Sequence, residues 1–175
     1  MCIHIYNNFI KRLPHCYYKG KEYIVWQDDE KCRVAFSEMP NIQNKQINIC
    51  VMTPEEIEDA ENKPLFLSNT VEVLLIDKKK SKSYVFTIEA GTDYDGATIH
   101  RLFWRVIGSK EDIRFKIAAL IHDILCIYHE YVDNDRYFST TVFNALLYVG
   151  GTKSTKRWFM KHSVDNFQKF CNWDD

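Results

Sequence analysis

The sequence contains no C-x-x-C pair, although six cysteines are scattered along its 175 residues. Structural zinc sites need clustered ligands, so this scatter argues against a zinc ribbon. We expect the cysteines to be free thiols in a reducing cytoplasm. They are Cys2, Cys16, Cys32, Cys50, Cys126 and Cys171.

The chain also lacks an excess of charge of either sign. It has 23 basic and 24 acidic residues and a net charge of -1. Without a basic field we expect no binding to nucleic acid. The first residues lack a charged stretch followed by a long apolar run, so we expect neither a signal peptide nor a transmembrane segment. The apolar content of 46% is typical of a globular protein.

Residues 1–90 show short apolar runs that are separated by polar turns, a pattern typical of β-strands. The last two runs flank a lysine-rich stretch and predict a hairpin with a charged tip. Thr53, Pro54 and Glu56 have the spacing of a helix N-terminus with a capping box. The predicted strands cover residues 23–26, 33–36, 47–52, 71–76 and 84–88.

Residues 91–175 change to the 3.6-residue period of helices. Ser109 and Asp112 have the spacing of a helix start, and two glycines at 150–151 indicate a helix end. The predicted helices cover residues 109–128, 138–149 and 155–170. The sequence therefore predicts an α+β fold in two parts, a β-rich lobe over residues 1–90 packed on a three-helix part over residues 91–175.

The adjacent residues His122 and Asp123 lie within a segment that otherwise predicts a buried helix. A buried carboxylate needs a compensating partner, because leaving it unpaired costs several kcal/mol. In one interpretation the pair has a structural role, and Asp123 forms a salt bridge with a cation such as Arg101, Arg105 or Arg114. The other is a hydrolytic site, in which a neutral histidine takes a proton from water beside a carboxylate-bound metal ion. Such a metal would also need carbonyl oxygens from the glycine-rich loop at residues 91–98.

Three segments carry a resemblance to a known family: residues 95–104 (DGATIHRLFW), 118–125 (AALIHDIL) and 143–146 (FNAL) with Gly150. Together they resemble the domain of unknown function 1353 family, which is common in bacteriophages. The resemblance covers about residues 84–170 and implies a phage or prophage origin, with no established activity.

The same pattern is similar to the core of phospholipase A2 enzymes, above all of the viral capsid type. This resemblance implies that His122 is the general base and Asp123 a calcium ligand, with carbonyl groups near Gly96 as further ligands. Two supporting positions depart from the pattern. Cys126 stands where the pattern has tyrosine, and Thr140 stands where it has the aspartate that orients the histidine. A threonine cannot stabilise an imidazolium as a carboxylate does. The pattern therefore indicates that the fold has been retained after the catalytic activity was lost.

Other metal-binding interpretations use the same pair with different partners. With His100 and Asp165, it is similar to the ligand set of the H…HD…D metal phosphohydrolases. His122 and His129 lie two helical turns apart and are a candidate ligand pair, but the sequence shows no close third ligand.

Two further features have a functional and a simpler interpretation. Cys126 near His122 is a candidate nucleophile, whereas a small core residue is the simpler interpretation. A basic stripe on the last predicted helix fits either a solvated face or a phosphate, nucleic-acid or acidic partner. The stripe consists of Lys153, Lys156, Arg157 and Lys161.

These observations predict a phage-encoded, non-catalytic protein, a virion or assembly component that binds other phage proteins in the virion or the host cytoplasm. The alternatives are a calcium-dependent lipid ester hydrolase of phospholipase A2 type and an inhibitor of a host defence protein. Because tyrosine and tryptophan are enriched at the energetic centres of interfaces, we expect the aromatic residues of the N-terminal lobe to anchor a partner. If not, they only pack the lobe on the helices. They are Tyr17, Tyr18, Tyr23 and Trp26.

Overall fold

The computed structural model describes residues 12–94, 113–149, 151–155, 157–158, 161–162 and 164. Within them the chain has a mixed α+β fold, in which antiparallel sheets come first and helices that pack on them follow. The predicted fold class is therefore confirmed. The elements are β1 (His15–Tyr18), β2 (Lys21–Asp28), β3 (Cys32–Phe36), β4 (Ile42–Asn44), α1 (Pro54–Asn62), β5 (Leu65–Leu67), β6 (Val71–Asp77), β7 (Lys82–Ile88), β8 (Asp93–Tyr94), α2 (Ile113–Ile127), a 3₁₀ helix (His129–Val132) and α3 (Arg136–Val149).

The described strands form two antiparallel sheets. The larger sheet has the order β1-β2-β3-β6-β7, and the smaller has the order β4-β5-β8. Strands β6 and β7 form the predicted hairpin, whose register pairs Val71 with Ile88 and Asp77 with Lys82. The strands predicted at residues 23–26 and 33–36 are also confirmed, as the centre of β2 and most of β3.

The strand predicted at residues 47–52 is wrong. This segment forms turns, in which the carbonyl oxygen of Asn48 accepts from the backbone N–H groups of Val51 and Met52 at 3.1 and 3.0 Å. The Asn48 side chain also accepts from the N–H of Cys50 at 3.1 Å. These local hydrogen bonds to asparagine compete with the hydrogen bonds between paired strands. The alternating apolar residues therefore stay exposed on the turns.

The helix start predicted at Thr53 is confirmed as the beginning of α1. The Thr53 hydroxyl accepts from the N–H of Glu56 at 3.3 Å, and the Glu56 carboxylate accepts from the N–H of Thr53 at 2.7 Å. These reciprocal bonds satisfy two backbone donors that a helix N-terminus leaves unpaired.

The main core joins one face of the larger sheet to the smaller sheet and to the helices, with α3 packed on β2 and β3 and α2 packed on β4. Strand β6 shows how the sheet divides its side chains, since Val73 and Leu75 lie in this core while Leu74 points to the opposite face. On that opposite face Leu74 belongs to a smaller group, the outer cluster, with Tyr23, Val25 and Ala35.

The division of the chain at residue 90 stays a prediction. Strand β8, which follows that position, pairs with β5, which precedes it, in the register Leu65 with Tyr94. None of the described helices combines the length and the apolar character that crossing a bilayer requires.

The tip of the β6–β7 hairpin depends on the buried carboxylate of Asp77, which accepts from the N–H groups of Lys79 at 2.9 Å and Lys80 at 3.1 Å. We expect Asp77→Ala to lower the free energy of unfolding by about 1.5–3 kcal/mol, because it removes hydrogen bonds to a charged acceptor. Asp77→Asn keeps an acceptor oxygen and serves as the matched control with a smaller loss. Urea unfolding measures both, and equal losses in the two variants would contradict this role.

Candidate functional site

Helix α2 carries the His122–Asp123 pair into the protein interior. Every residue at positions 117–125 is buried in the main core, where α2 packs against α3 and against β4 of the smaller sheet. His122 is 4% exposed and Asp123 is 7% exposed, so both ionisable groups are inside the core. The predicted helix is therefore confirmed where it is described, while its predicted start at Ser109 lies outside the described residues.

The two side chains are partners of each other, with His122 Nδ1 lying 3.3 Å from Asp123 Oδ1. Three arginines were expected to pair with Asp123. Arg101 and Arg105 lie outside the described residues, and so does the side chain of Arg114.

Two further side chains enclose the imidazole ring. Cys126, one turn further along α2, places its Sγ 3.4 Å from His122 Nε2. From α3, the ring of Phe143 packs on the imidazole with 4.7 Å between centroids. Sulfur, imidazole and carboxylate therefore form a continuous chain of contacts along α2.

The pKa of His122 follows from these contacts. Burial alone would lower the pKa, but hydrogen bonds to Asp123 and Cys126 outweigh burial and raise the pKa of His122 to about 10. At neutral pH the ring is thus an imidazolium that carries a proton on each nitrogen. In this state His122 can donate hydrogen bonds, but it cannot accept a proton from water.

Thr140, the residue at the orienting position, is buried on α3 one turn before Phe143. A helix presents residues three apart on the same side, so Thr140 lies on the α2-facing side that carries Phe143. Its neutral hydroxyl supplies no charge to balance an imidazolium.

The acidic residues after α2 do not replace the orienting carboxylate. Asp133 pairs with Lys82 at 2.9 Å, and this contact lowers the pKa of Asp133. Asp135 pairs with Lys80 and accepts from the N–H of Phe138 at 3.0 Å, at the start of α3. Both carboxylates are therefore engaged at the β6–β7 hairpin.

The last described residue of the glycine-rich loop, Tyr94, contacts α2. The hydroxyl of Tyr94 donates to the carbonyl oxygen of Lys116 on α2 at 3.2 Å. Burial, with a smaller contribution from the charge of Asp123, raises the pKa of Tyr94. Gly96, the predicted source of carbonyl ligands, lies outside the described residues.

The described residues do not fit a calcium ion. Calcium takes six to eight oxygen ligands, and the described part of the chain contains no group of three or more His, Cys, Asp or Glu residues placed to hold a metal. Asp123 faces the positively charged His122, which repels a cation.

The other predicted metal ligands do not assemble with this pair. His100 and Asp165 lie outside the described residues. His129 belongs to the 3₁₀ helix that follows α2, so it does not share a continuous helix face with His122 as expected. Its Nδ1 contacts the side chain of Asn134.

The predicted anchors of the N-terminal lobe differ in exposure. Tyr17, on the edge strand β1, is 74% exposed, whereas Tyr18 is half-buried against the outer cluster. Tyr23 and Trp26 are buried, with 2% and 4% exposure, so their side chains pack inside the lobe and are not available at its surface. Both lie on β2, an inner strand with apolar groups on its two faces, where Tyr23 joins the outer cluster and Trp26 the main core.

A surface that the sequence interpretation missed runs along α3. Tyr137, Thr141, Asn144 and Tyr148 follow one another at intervals of four, three and four residues, which is one face of a helix. They line two adjoining cavities of about 400 and 420 Å³ against the β2–β3 turn and the hairpin tip, and Tyr137 and Tyr148 are 68% and 61% exposed. Arg157, from the predicted basic stripe, lies over the Tyr148 ring at 4.6 Å. The helical spacing of the two tyrosines is the signal that could have identified this surface.

The charge on His122 predicts that the fold loses stability as pH rises. The ordinary pKa of 6.5 applies to the unfolded chain and the raised pKa of about 10 to the folded chain. The folded state therefore binds the extra proton between these values, so the stabilisation is complete below pH 6.5 and lost as pH rises through 10.

One proton gives a slope of at most about 1.4 kcal/mol per pH unit. We expect urea unfolding across this range to show the slope in the wild type and a shallower slope in His122→Gln, which does not titrate. Parallel pH profiles for the two proteins would contradict a charged His122.

A family model described as Protein of unknown function (DUF1353) matches residues 70–164, more than half of the chain. The match begins before residue 84, so it includes the β6–β7 hairpin as well as α2 and α3. No curated protein and no solved structure matches the chain. On the length of the family match, the chain belongs to the DUF1353 family.

Proposed function

We propose that the protein is a phage-encoded, non-catalytic component of the virion or of its assembly, which binds other phage proteins. The single observation that carries the non-catalytic part is the contact between His122 and Asp123 inside α2. The phage origin is supported by the resemblance to a family common in bacteriophages.

A hydrolase of phospholipase A2 type requires a neutral imidazole that takes a proton from water in the transition state. In this chain hydrogen bonds to Asp123 and Cys126 raise the pKa of the imidazole to about 10, and the side chains of Cys126 and Phe143 pack on the ring. The threonine at the orienting position adds no carboxylate to stabilise the charge that catalysis would create. These features together favour a structural role for the pair over a catalytic one.

Binding to other proteins is supported by tyrosines that stay exposed on two surfaces. Tyr17 lies on β1, which has a neighbouring strand on one side among the described residues. Tyr137 and Tyr148 flank the surface along α3. Strand edges accept a further strand, and exposed tyrosines serve as anchors at protein interfaces.

We expect no phospholipid hydrolysis in the presence of millimolar calcium. The assay uses mixed phospholipid vesicles, with a calcium chelator in the parallel sample and His122→Gln as the variant. A rate that needs calcium and disappears in a folded His122→Gln protein would overturn the non-catalytic proposal in favour of the hydrolase.

We expect the wild-type chain, carrying an affinity tag in infected cells, to capture phage-encoded proteins and to be present at a fixed copy number in purified particles. Tyr17→Ala and Tyr148→Ala remove the proposed anchors, and at least one of them should reduce capture. Ile49→Ala removes a side chain of similar exposure, 77%, from a turn and is the matched control. Capture of a host protein alone, with no copies in particles, would overturn the proposal and favour an inhibitor of host defence.

A further inference from the structure

The two cavities along α3 form one continuous groove, because Lys31 and Thr141 line both of them. Tyr137 and Tyr148 mark its ends, which lie about 16 Å apart along the helix at a rise of about 1.5 Å per residue. An extended peptide covers this distance with about five residues. The groove therefore has the length of a docking site for a short extended segment of another chain.

The charged side chains that line the groove differ in exposure according to their sign. The carboxylates belong to Asp29, Glu30, Asp77 and Asp135, and the cations are Lys31, Lys79, Lys80 and Arg157. Asp77 is buried, and Asp29 and Asp135 are half-buried, whereas the three lysines are exposed. The formal charges balance, yet the charge that faces solvent is mainly positive.

The withdrawn carboxylates are also engaged by donors of this chain. Asp29 accepts from the backbone N–H groups of Lys31 at 2.7 Å and Cys32 at 2.9 Å. Asp77 and Asp135 are held by the hydrogen bonds and the ion pair at the hairpin tip. These three carboxylates therefore have little capacity left to bind a cationic partner.

Three of the cations, in contrast, have capacity to spare. Within the described part of the chain, Lys31 and Lys79 form no ion pair. The Nε atom of Arg157 is buried and has no hydrogen-bond partner among the described residues. The guanidinium of Arg157 lies 4.6 Å from the centre of the Tyr148 ring, which holds its plane in position. A guanidinium held in this way presents a fork of N–H donors that matches a carboxylate.

We propose that this groove binds an acidic segment of a partner protein, an inference that rests on the protein-binding function above and names the chemistry of the partner. Carboxylates of the segment contact Lys31, Lys79 and Arg157. Tyr137 and Tyr148 pack on its apolar side chains at the two ends of the groove.

A nucleic acid is the other polyanion that exposed cations attract, and the groove favours a peptide over it. Phosphates follow one another without interruption along a nucleic acid, so they would meet the exposed carboxylate of Glu30 in the same groove. A peptide can place a neutral residue at that point. The net charge of -1 also gives the chain no basic field that would steer a nucleic acid to it.

The probe for the partner's chemistry is a library of random peptides of about twelve residues, roughly twice the length that the groove accommodates in extended form. The peptides are displayed on ribosomes and selected on the immobilised wild-type protein. We expect the selected peptides to contain a clear excess of aspartate and glutamate over lysine and arginine. Selected peptides without this excess, or no selected peptides, would overturn the proposal.

The most enriched peptide then tests the groove residues by fluorescence anisotropy. We expect Arg157→Gln to weaken its binding at least about fivefold, since hydrogen bonds to charged groups typically contribute that factor or more. Lys31→Gln and Lys79→Gln change only exposed side chains, so the fold is retained, and each should weaken binding by a smaller factor. Lys153→Gln removes an exposed lysine that does not line the groove and is the matched control. Equal affinities in the control and the three groove variants would contradict the proposal.

The remaining outcomes separate this inference from the proposed function. A single-stranded oligonucleotide that binds more tightly than the peptide, and less tightly in the same groove variants, would overturn the inference in favour of a nucleic acid. If phage proteins are captured and no acidic peptides are selected, the inference fails and the proposed function stands. If acidic peptides are selected and capture fails, the proposed function fails and the preference of the groove for acidic segments stands.

Discussion

The fold depends on burying an almost wholly apolar helix, α2, that contains an ion pair. Packing α2 against α3 and β4 in the main core removes most of its side chains from water, which is the dominant favourable contribution to folding. The same placement removes His122 and Asp123 from water, and two isolated charges there would be strongly unfavourable. Their contact makes the burial tolerable. Losing one partner of a buried pair typically costs about 3–5 kcal/mol, so each residue constrains the other.

On the proposed function, this constraint gives a physical reason why a His-Asp pair can persist without hydrolytic chemistry. On the proposed function, Asp123 no longer serves a metal ion and instead balances the charge of His122. Thr140 is then sufficient where the enzyme pattern has an acid, because the imidazolium is already compensated from within α2. Cys126, where the enzyme pattern has a tyrosine, adds a second polar contact to the same ring.

Local features of the fold could be predicted from the sequence, and features that depend on distant residues could not. The capping box at Thr53 and the β6–β7 hairpin are decided by residues close in the chain. The strand expected at residues 47–52 failed because alternation alone does not supply a partner strand. The burial of Tyr23 and Trp26 depends on β2 lying inside the sheet, which no local pattern shows. At the site, the burial of His122 and Asp123 was predictable from the apolar run around them, whereas their mutual contact depends on side-chain rotamers.

The order of strands in the larger sheet also shapes how the chain reaches this structure. Strands β1, β2 and β3 are joined by short turns, as are β6 and β7, and segments of this kind pair within microseconds. The contact that joins them pairs Phe36 with Val73, across a long connection that contains β4, α1 and β5. Closing a connection of this length has an entropic cost, and this cost arises before the apolar core forms and stabilises the chain. Within the larger sheet, the pairing of β3 with β6 is therefore the contact with the largest loop-closure cost.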